Sequence, residues 1–343
     1  MLRLVIALTL VSEAALRISP VERVQLSAEL SAWTDEFGEA FLPPGVDTSD
    51  TEVLLARLQA SKVAIAALEA TQPSATFRLG RFALYTPDEF NALVTMSSPQ
   101  NLPNPKDVVP PKVSVEAGRT SFSSGNDTVV DWSTSKCMNL PALEAAHCIV
   151  TGVLLDVSEQ SIVSCLKDFG GNGCDWGLEW GVMMSTAMEG ICLEKDYPYT
   201  SGVDGIANQC QTKCAKEMLA VSNYGRGETE AKLEAVLLTQ PVAVTLAIDN
   251  NVWMYYDGGM ITSCPPSKTL HTALAVGYGT EHGVKYFKIR NSWGTAWGEH
   301  GHIRIRRGVG GEGLCGIAKS SFYPVLKDLP QPTSVSPPTK PAC

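Results

Sequence analysis

A histidine and an asparagine at opposite ends of a hairpin pattern are the residues of this chain best placed to do chemistry. Residues 271–278 and 284–290 each alternate apolar and polar side chains, and Gly279, Thr280, Glu281, His282 and Gly283 separate them. That pattern predicts two antiparallel strands joined by a turn. A turn centred on Glu281 sets His271 opposite Asn291. A carboxamide beside an imidazole fixes which ring nitrogen carries the proton and where the ring points, as a general base requires. A lone histidine on a hairpin is more often an ordinary core or surface residue, so the surrounding residues must decide.

They are specific. GYG, the hairpin and then NSWGTAWGEHGHIRI resemble the papain family of cysteine peptidases. In that family the histidine is the general base, the asparagine holds its ring, and the NSWG tryptophan shields the pair from water. The resemblance therefore assigns these roles to His271, Asn291 and Trp293. Upstream, ALEAAHCIVTGVLLDVSEQSIVSC resembles the family's first long helix and the segment after it. NGCDWGLEW resembles its glycine-rich loop, and DYPYTS a later turn. The likeness spans residues 130–324. It implies an α+β fold in which a helical lobe and a β-barrel lobe face each other across a cleft, preceded by a helical inhibitory propeptide. His300 and His302, two apart, are expected on one face of a strand, with no metal role.

The departure from the family lies at the nucleophile. A stretch of the form QGxCGSCWAF is expected before ALE, yet only nine residues, 133–141, separate Trp132 from Ala142. The segment is roughly sixteen residues short, more than four helical turns of chain. Pro141 favours a helix that begins only there. A thiol of ordinary pKa near 8.5 needs a histidine and a helix N-terminus to become a thiolate, and the oxyanion then needs donors. Cys137 is the one candidate nucleophile in the remnant. Its rival roles are a disulfide to Cys174, which the resemblance suggests, or a free thiol. Cys148 reads as packed in the core.

The resemblance also pairs Cys264 with Cys315, and Cys165 with either Cys210 or Cys214. Cys192 and Cys343 are left unassigned. No paired CxxC knuckle is present, so neither zinc nor another cofactor is expected. Gly177 matches the glycine whose backbone pairs with an extended peptide substrate. Leu178, Glu179, Thr272 and Ser320, with Trp293, match positions around the substrate. An apolar residue suits that pocket, whereas Glu179 favours a basic one. Ordinary packing is the alternative for each.

The elements that must position these residues occupy only part of the 343-residue chain. Residues 1–18 read as a signal peptide: Arg3, a short apolar run, then small residues. No run reaches the roughly 20 apolar residues of a membrane span. Residues 19–115 read as an inhibitory propeptide and linker. Helical spacing covers residues 24–41 and 51–71, and Pro43, Pro44 and Gly45 break the two apart. FRLGRFALYTPDEFNAL then resembles the end of the family's propeptide, with Thr86, Glu89 and Phe90 matching. Arg57 fits its long helix, while Ser61, Ala64 and Leu84 depart from it. Residues 97–112 hold five prolines and read as an exposed linker. Asn126 opens an N-x-T glycosylation match. Residues 116–327 are the peptidase-like domain, and 328–343 a proline-rich tail.

A net charge of −9 opposes binding to nucleic acid or an anionic membrane. Ten cysteines suggest an oxidising, secretory route to a lysosome, vacuole or the exterior. The reading is a cysteine-type endopeptidase made as an autoinhibited zymogen. Its partners would be protein or peptide substrates, its own propeptide and cystatin-like inhibitors. The alternative is a catalytically inactive homologue acting as a peptide-binding or regulatory scaffold.

Overall fold

The computed structural model describes residues 18–38, 41–47, 49–94, 122–123, 128–138, 142–248, 250–265, 267 and 269–327. Most of the signal-peptide reading, the proline-rich linker, Asn126, and the tail with Cys343 lie outside these residues. In chain order the elements begin with α1 (Pro20–Phe37), α2 (Thr51–Thr71), β1 (Ala75–Phe77), α3 (Pro87–Val94), β2 (Phe122–Ser123) and β3 (Thr128–Asp131). Next come α4 (Ala142–Thr151), α5 (Glu159–Cys165), α6 (Glu179–Glu189), α7 (Ser201–Asp204) and β4 (Val221–Gly227). The remaining elements are α8 (Glu230–Leu237), β5 (Val242–Ala247), α9 (Asn250–Tyr255), β6 (Tyr256–Ile261), β7 (Leu270–Glu281), β8 (Val284–Arg290), β9 (His302–Arg306) and β10 (Ser320–Leu326). They cluster into two units, one drawing on residues 1–103, 114–134 and 226–321, the other on 104–113, 135–225 and 322–343.

In the first unit, Ser19 and Glu22 cap each other's backbone N–H groups at 3.3 and 2.9 Å, and Pro20 follows at the first helical position. This reciprocal cap starts α1 earlier than the apolar spacing alone suggests, and Gly38 ends it after Phe37. Asp50 caps α2 through the Val53 N–H. Leu26, Trp33 and Phe37 of α1 pack with Leu55 and Leu58 of α2, and with Leu84 beyond them. Burying each such side chain contributes about 1.5–3 kcal/mol. Leu84, where the family pattern has an acidic residue, is fully buried here. Ser61, another departure, donates to the Ala83 carbonyl and bonds the Tyr255 hydroxyl at 2.9 Å.

The sheet of this unit runs β1, β6, β9, β8, β7, β5, and β3 also pairs with β7. Only β6 and β9 are parallel in that run. Val242, Val244 and Leu246 of β5 point inward at alternate positions, the period-2 signature of a strand with one buried face. The N-terminal segment is part of this sheet, because β1 adds to the β6 edge. Where β3 crosses β7, a Cβ on Gly277 would lie 2.0 Å from the Val130 carbonyl oxygen, so glycine alone allows that approach.

The second unit gathers α4 to α7. Ser158 caps α5 through the Ser161 N–H, and the buried carboxylate of Glu144 on α4 accepts the Val157 N–H at 2.7 Å. Gln160 is almost fully enclosed; its amide donates to Ser164 and Ser201, and its oxygen accepts the Thr200 and Ser201 N–H groups. Disulfides join Cys137 to Cys148, Cys165 to Cys210, and Cys192 to Cys214.

Candidate active site

The hairpin forms with a different register from the one its turn residues suggest. β7 extends to Glu281, which pairs with Val284, and the turn is only His282 and Gly283, both at positive φ (50° and 78°). A bulge between Ala275 and Gly277 then shifts the ladder. The β7–β8 ladder ends at Leu274 and Arg290, so His271 has no partner on β8 and Asn291 lies just past that strand's end; on its other edge His271 pairs with Leu246 of β5. The two side chains still meet. His271 Nε2 is 2.9 Å from Asn291 Oδ1, and both residues are buried. Asn291 Oδ1 also accepts the Ser292 N–H at 2.8 Å, which orients the amide with its oxygen toward the ring. Nε2 therefore carries the proton and Nδ1 the lone pair, the form a general base needs.

Aromatic rings enclose the imidazole. Trp293 lies 5.0 Å from it and Trp253 5.7 Å, centroid to centroid. Trp297 stacks on Trp253 at 5.6 Å and donates its indole N–H to the Trp253 carbonyl. Such rings exclude water and strengthen the His–Asn hydrogen bond. The N-terminal segment, through residues 81–91, closes the outer side. Phe82 and Phe90 meet Trp293 edge-on at 5.2 and 5.5 Å, and the Arg81 guanidinium donates to the Trp293 carbonyl. Asn91 accepts from Thr269, two residues before His271. Thr86 and Glu89 form a reciprocal cap on α3, and Glu89 also takes a bidentate bond from Arg57 at 2.5 and 2.9 Å. Trp253, Trp297 and Arg81 carry no role in the sequence reading. Trp253 sits outside any motif, and Trp297 was visible only as part of the NSWGTAW string.

The cysteines require correction. Cys137 is neither a thiol nor bonded to Cys174: it is buried in a disulfide with Cys148, whose Cα lies 5.4 Å away. With α4 described from Ala142, Cys148 on its second turn comes within bonding range of the incoming chain. Cys148 is therefore a bonded core residue, and Cys174 is an exposed free cysteine. Of the two partners open to Cys165, the structure takes Cys210 and leaves Cys214 to Cys192. Cys264 and Cys315 are bonded. Among the described residues no group of side chains is arranged to hold a metal ion.

The positions assigned to substrate divide between the units. Thr272 and Trp293 flank the His–Asn pair in sequence; Thr272 shares a 2.9 Å hydroxyl bond with Thr245 across β5 and β7. Ser320 opens β10. Gly177, Leu178 and Glu179 belong to the second unit, where Gly177 bridges Gly171 and Leu178 leads into α6. A Cβ at Gly177 would touch nothing within 4 Å, so packing does not demand glycine there.

Burial lowers the pKa of His271 and outweighs the opposing bond to Asn291, so the ring is held neutral. Burial also lowers His302 and His147, the latter accepting the Ala220 N–H at Nδ1. For a group depressed in the folded state, the unfolded chain binds more protons below the ordinary value near 6.5, so stability falls as pH falls. Glu89 and Asp131, held low by hydrogen bonds and ion pairs that outweigh their burial, extend the loss below the ordinary carboxylate range. Glu159, raised by burial and its acidic neighbours, works the other way. The urea midpoint is expected to fall steadily between pH 7 and 4. A flat or rising profile would contradict this balance.

Helices with a mixed sheet, a His–Asn pair under tryptophan, and an N-terminal strand joined to the sheet are the features to compare with known proteins. The family model for papain family cysteine protease matches residues 132–325. The chain is 37% identical over 195 residues to cysteine proteinase COT44 of Brassica napus, covering 56% of this chain and 58% of that protein. It is 37% identical over 193 residues to pro-cathepsin H of Bos taurus, covering 54% and 55%. The chain thus spans little more than half the length of these curated relatives. Its fold resembles the recombinant stem bromelain precursor, with a TM-score of 0.69 at 23% identity over 89% of this chain and 100% of that one. It also resembles the ragweed pollen cysteine protease Amb a 11 in its proform, with a TM-score of 0.68 at 23% identity over 89% and 95%. The chain belongs to the papain family of cysteine proteases, with a cathepsin L-like, proform-type α+β fold.

Proposed function

We propose that this protein serves as a papain-type cysteine endopeptidase made as a propeptide-blocked zymogen. The observation that carries the reading is the His271–Asn291 bond, enclosed by tryptophan and covered by the pro-region. In the working form, His271 Nδ1 takes the proton of a cysteine thiol, and the thiolate attacks the carbonyl carbon of the scissile peptide bond. His271 then returns the proton to the leaving amine as the C–N bond breaks, and a water deprotonated by the same ring hydrolyses the thioester. Asn291 keeps Nδ1 aimed throughout. Gly177, with open space at its Cβ, suits the backbone of an extended peptide. Residues 1–18 would be removed on export, residues 19–115 on maturation. The disulfides suit a secretory route ending in a lysosome, a vacuole or the exterior. Protein or peptide substrates and cystatin-like inhibitors are the expected partners.

Among the described residues Cys174 is the free cysteine, and the family pattern does not put the nucleophile at that position. The reading therefore requires a working version that carries a nucleophile-bearing segment ahead of Ala142. The Cys137–Cys148 disulfide favours a second reading, a catalytically silent homologue that binds peptides or regulates a partner. Labelling acid-matured protein from its native source with a peptidyl epoxide separates the two. Label on a cysteine in a peptide absent from this chain supports the peptidase. No label on folded, processed protein would sink it and leave the scaffold.

A further inference from the structure

The structure separates the two histidines that the sequence pattern sets on one strand face. His302 opens β9, while His300 belongs to the preceding turn. That turn, residues 297–301, passes through left-handed backbone at Gly298, His300 and Gly301, with φ of 55°, 51° and 85°. A histidine in that region is costly unless its surroundings hold it there. The His302 ring does so: its Nδ1 lies 3.2 Å from the Glu299 carbonyl oxygen and 3.1 Å from that of His300. Carbonyls only accept, so Nδ1 carries the proton and Nε2 the lone pair. Nε2 is buried without a hydrogen-bond partner.

The same turn supports the candidate active site by two routes. Gly301 accepts the backbone N–H of Asn291 at 2.8 Å. Trp297, at the start of the turn, packs edge-on against Trp293 at 5.2 Å. Arg290, the residue before Asn291, is also the cross-strand partner of His302. The charges that act on the ring are Lys288, itself paired with Asp131 of β3 at 2.9 Å, and Arg290, both on β8. Glu299 in the turn is engaged with Arg304 and the Gly259 N–H, and Asp257 on the neighbouring β6 with Arg78.

We propose that His302 is a positioning residue, a proton-sensitive latch on the 297–301 turn that keeps Asn291 aligned on His271. A solvent proton taken up at Nε2 adds an N–H with no acceptor and a positive charge beside Lys288 and Arg290. Both effects push the ring out of its seat and release the turn. The His–Asn pair is then firm near neutral pH and loosens in acid. The catalytic meaning rests on the peptidase reading, but the latch itself does not.

Solvent exchange of the His271 Nε2 proton, followed by NMR on the nitrogen-15-labelled full chain from pH 7.5 to 4.5, tests it without reference to activity. Exchange is expected to accelerate by about five- to tenfold, the loss of one ordinary hydrogen bond, as the His302 signal titrates. His302→Asn, whose amide still donates but cannot charge, is expected to abolish that step. His302→Phe, which removes the donor, should give fast exchange at every pH. Absence of the step in the wild type, or its persistence in His302→Asn, overturns the proposal. These two measurements decide the matter even if His302→Phe does not fold.

Discussion

Replacing Phe90 with alanine is expected to weaken the hold of the pro-region on the sheet by about 3–5 kcal/mol. Phe90 is fully buried, contacts Phe82 at 5.1 Å and meets Trp293 at 5.5 Å, both edge-on. Truncation leaves a cavity bounded by the rest of this aromatic cluster, which cannot collapse without moving Trp293. Other anchors remain, including Arg78 with Asp257 and the Gln72 carboxamide on Ser263 and Thr262, so the pro-region should stay docked but exchange faster. The check is chemical unfolding by tryptophan fluorescence, followed by co-purification after the 97–112 linker is cut with an added protease. A loss below about 1 kcal/mol would mean that Phe90 does not fasten the pro-region to the site.

Trp253→Ala should cost the fold a similar amount, about 3–5 kcal/mol, and should also alter His271. Trp253 is 1% exposed, stacks on Trp297 and forms one wall of the imidazole's enclosure. Removing it admits water, and desolvation is the larger influence on His271, so the ring's pKa should rise toward the ordinary value near 6.5. Trp253→Phe retains most of the wall and should shift the ring much less. An NMR titration of His271 in both variants checks this, together with their thermal midpoints. An unchanged His271 in a folded Trp253→Ala protein would show that Trp293 alone excludes water.

Much of this protein is legible in short stretches of sequence. The apolar spacing of residues 51–71 coincides with α2 at both ends, because its period and its Asp50 cap are local. The hairpin and the NSWG tryptophan identify the His–Asn–Trp group, since strand alternation and turn residues act over a few positions. The register was not legible. A type of turn using only His282 and Gly283, plus a bulge where β3 presses on Gly277, moved the ladder, and neither has a marker in the alternation.

By itself the sequence determined the family, helix α2 and the hairpin that carries His271 toward Asn291, all written in neighbouring residues. The Cys264–Cys315 bridge was expected from the sequence, but tertiary structure alone decided that Cys137 bonds Cys148 and Cys192 bonds Cys214, that Trp253 walls His271, and that Arg81, Phe82 and Phe90 cover Trp293. These contacts join residues far apart in the chain, as Arg81 and Trp293 are. His302 shows the same division at short range: its spacing from His300 predicts a shared strand face, but the left-handed turn puts only one of them in the strand. Local periodicity specifies which face a side chain takes along a regular element. Which partner it meets depends on how separate elements pack, and no single stretch of the chain records that.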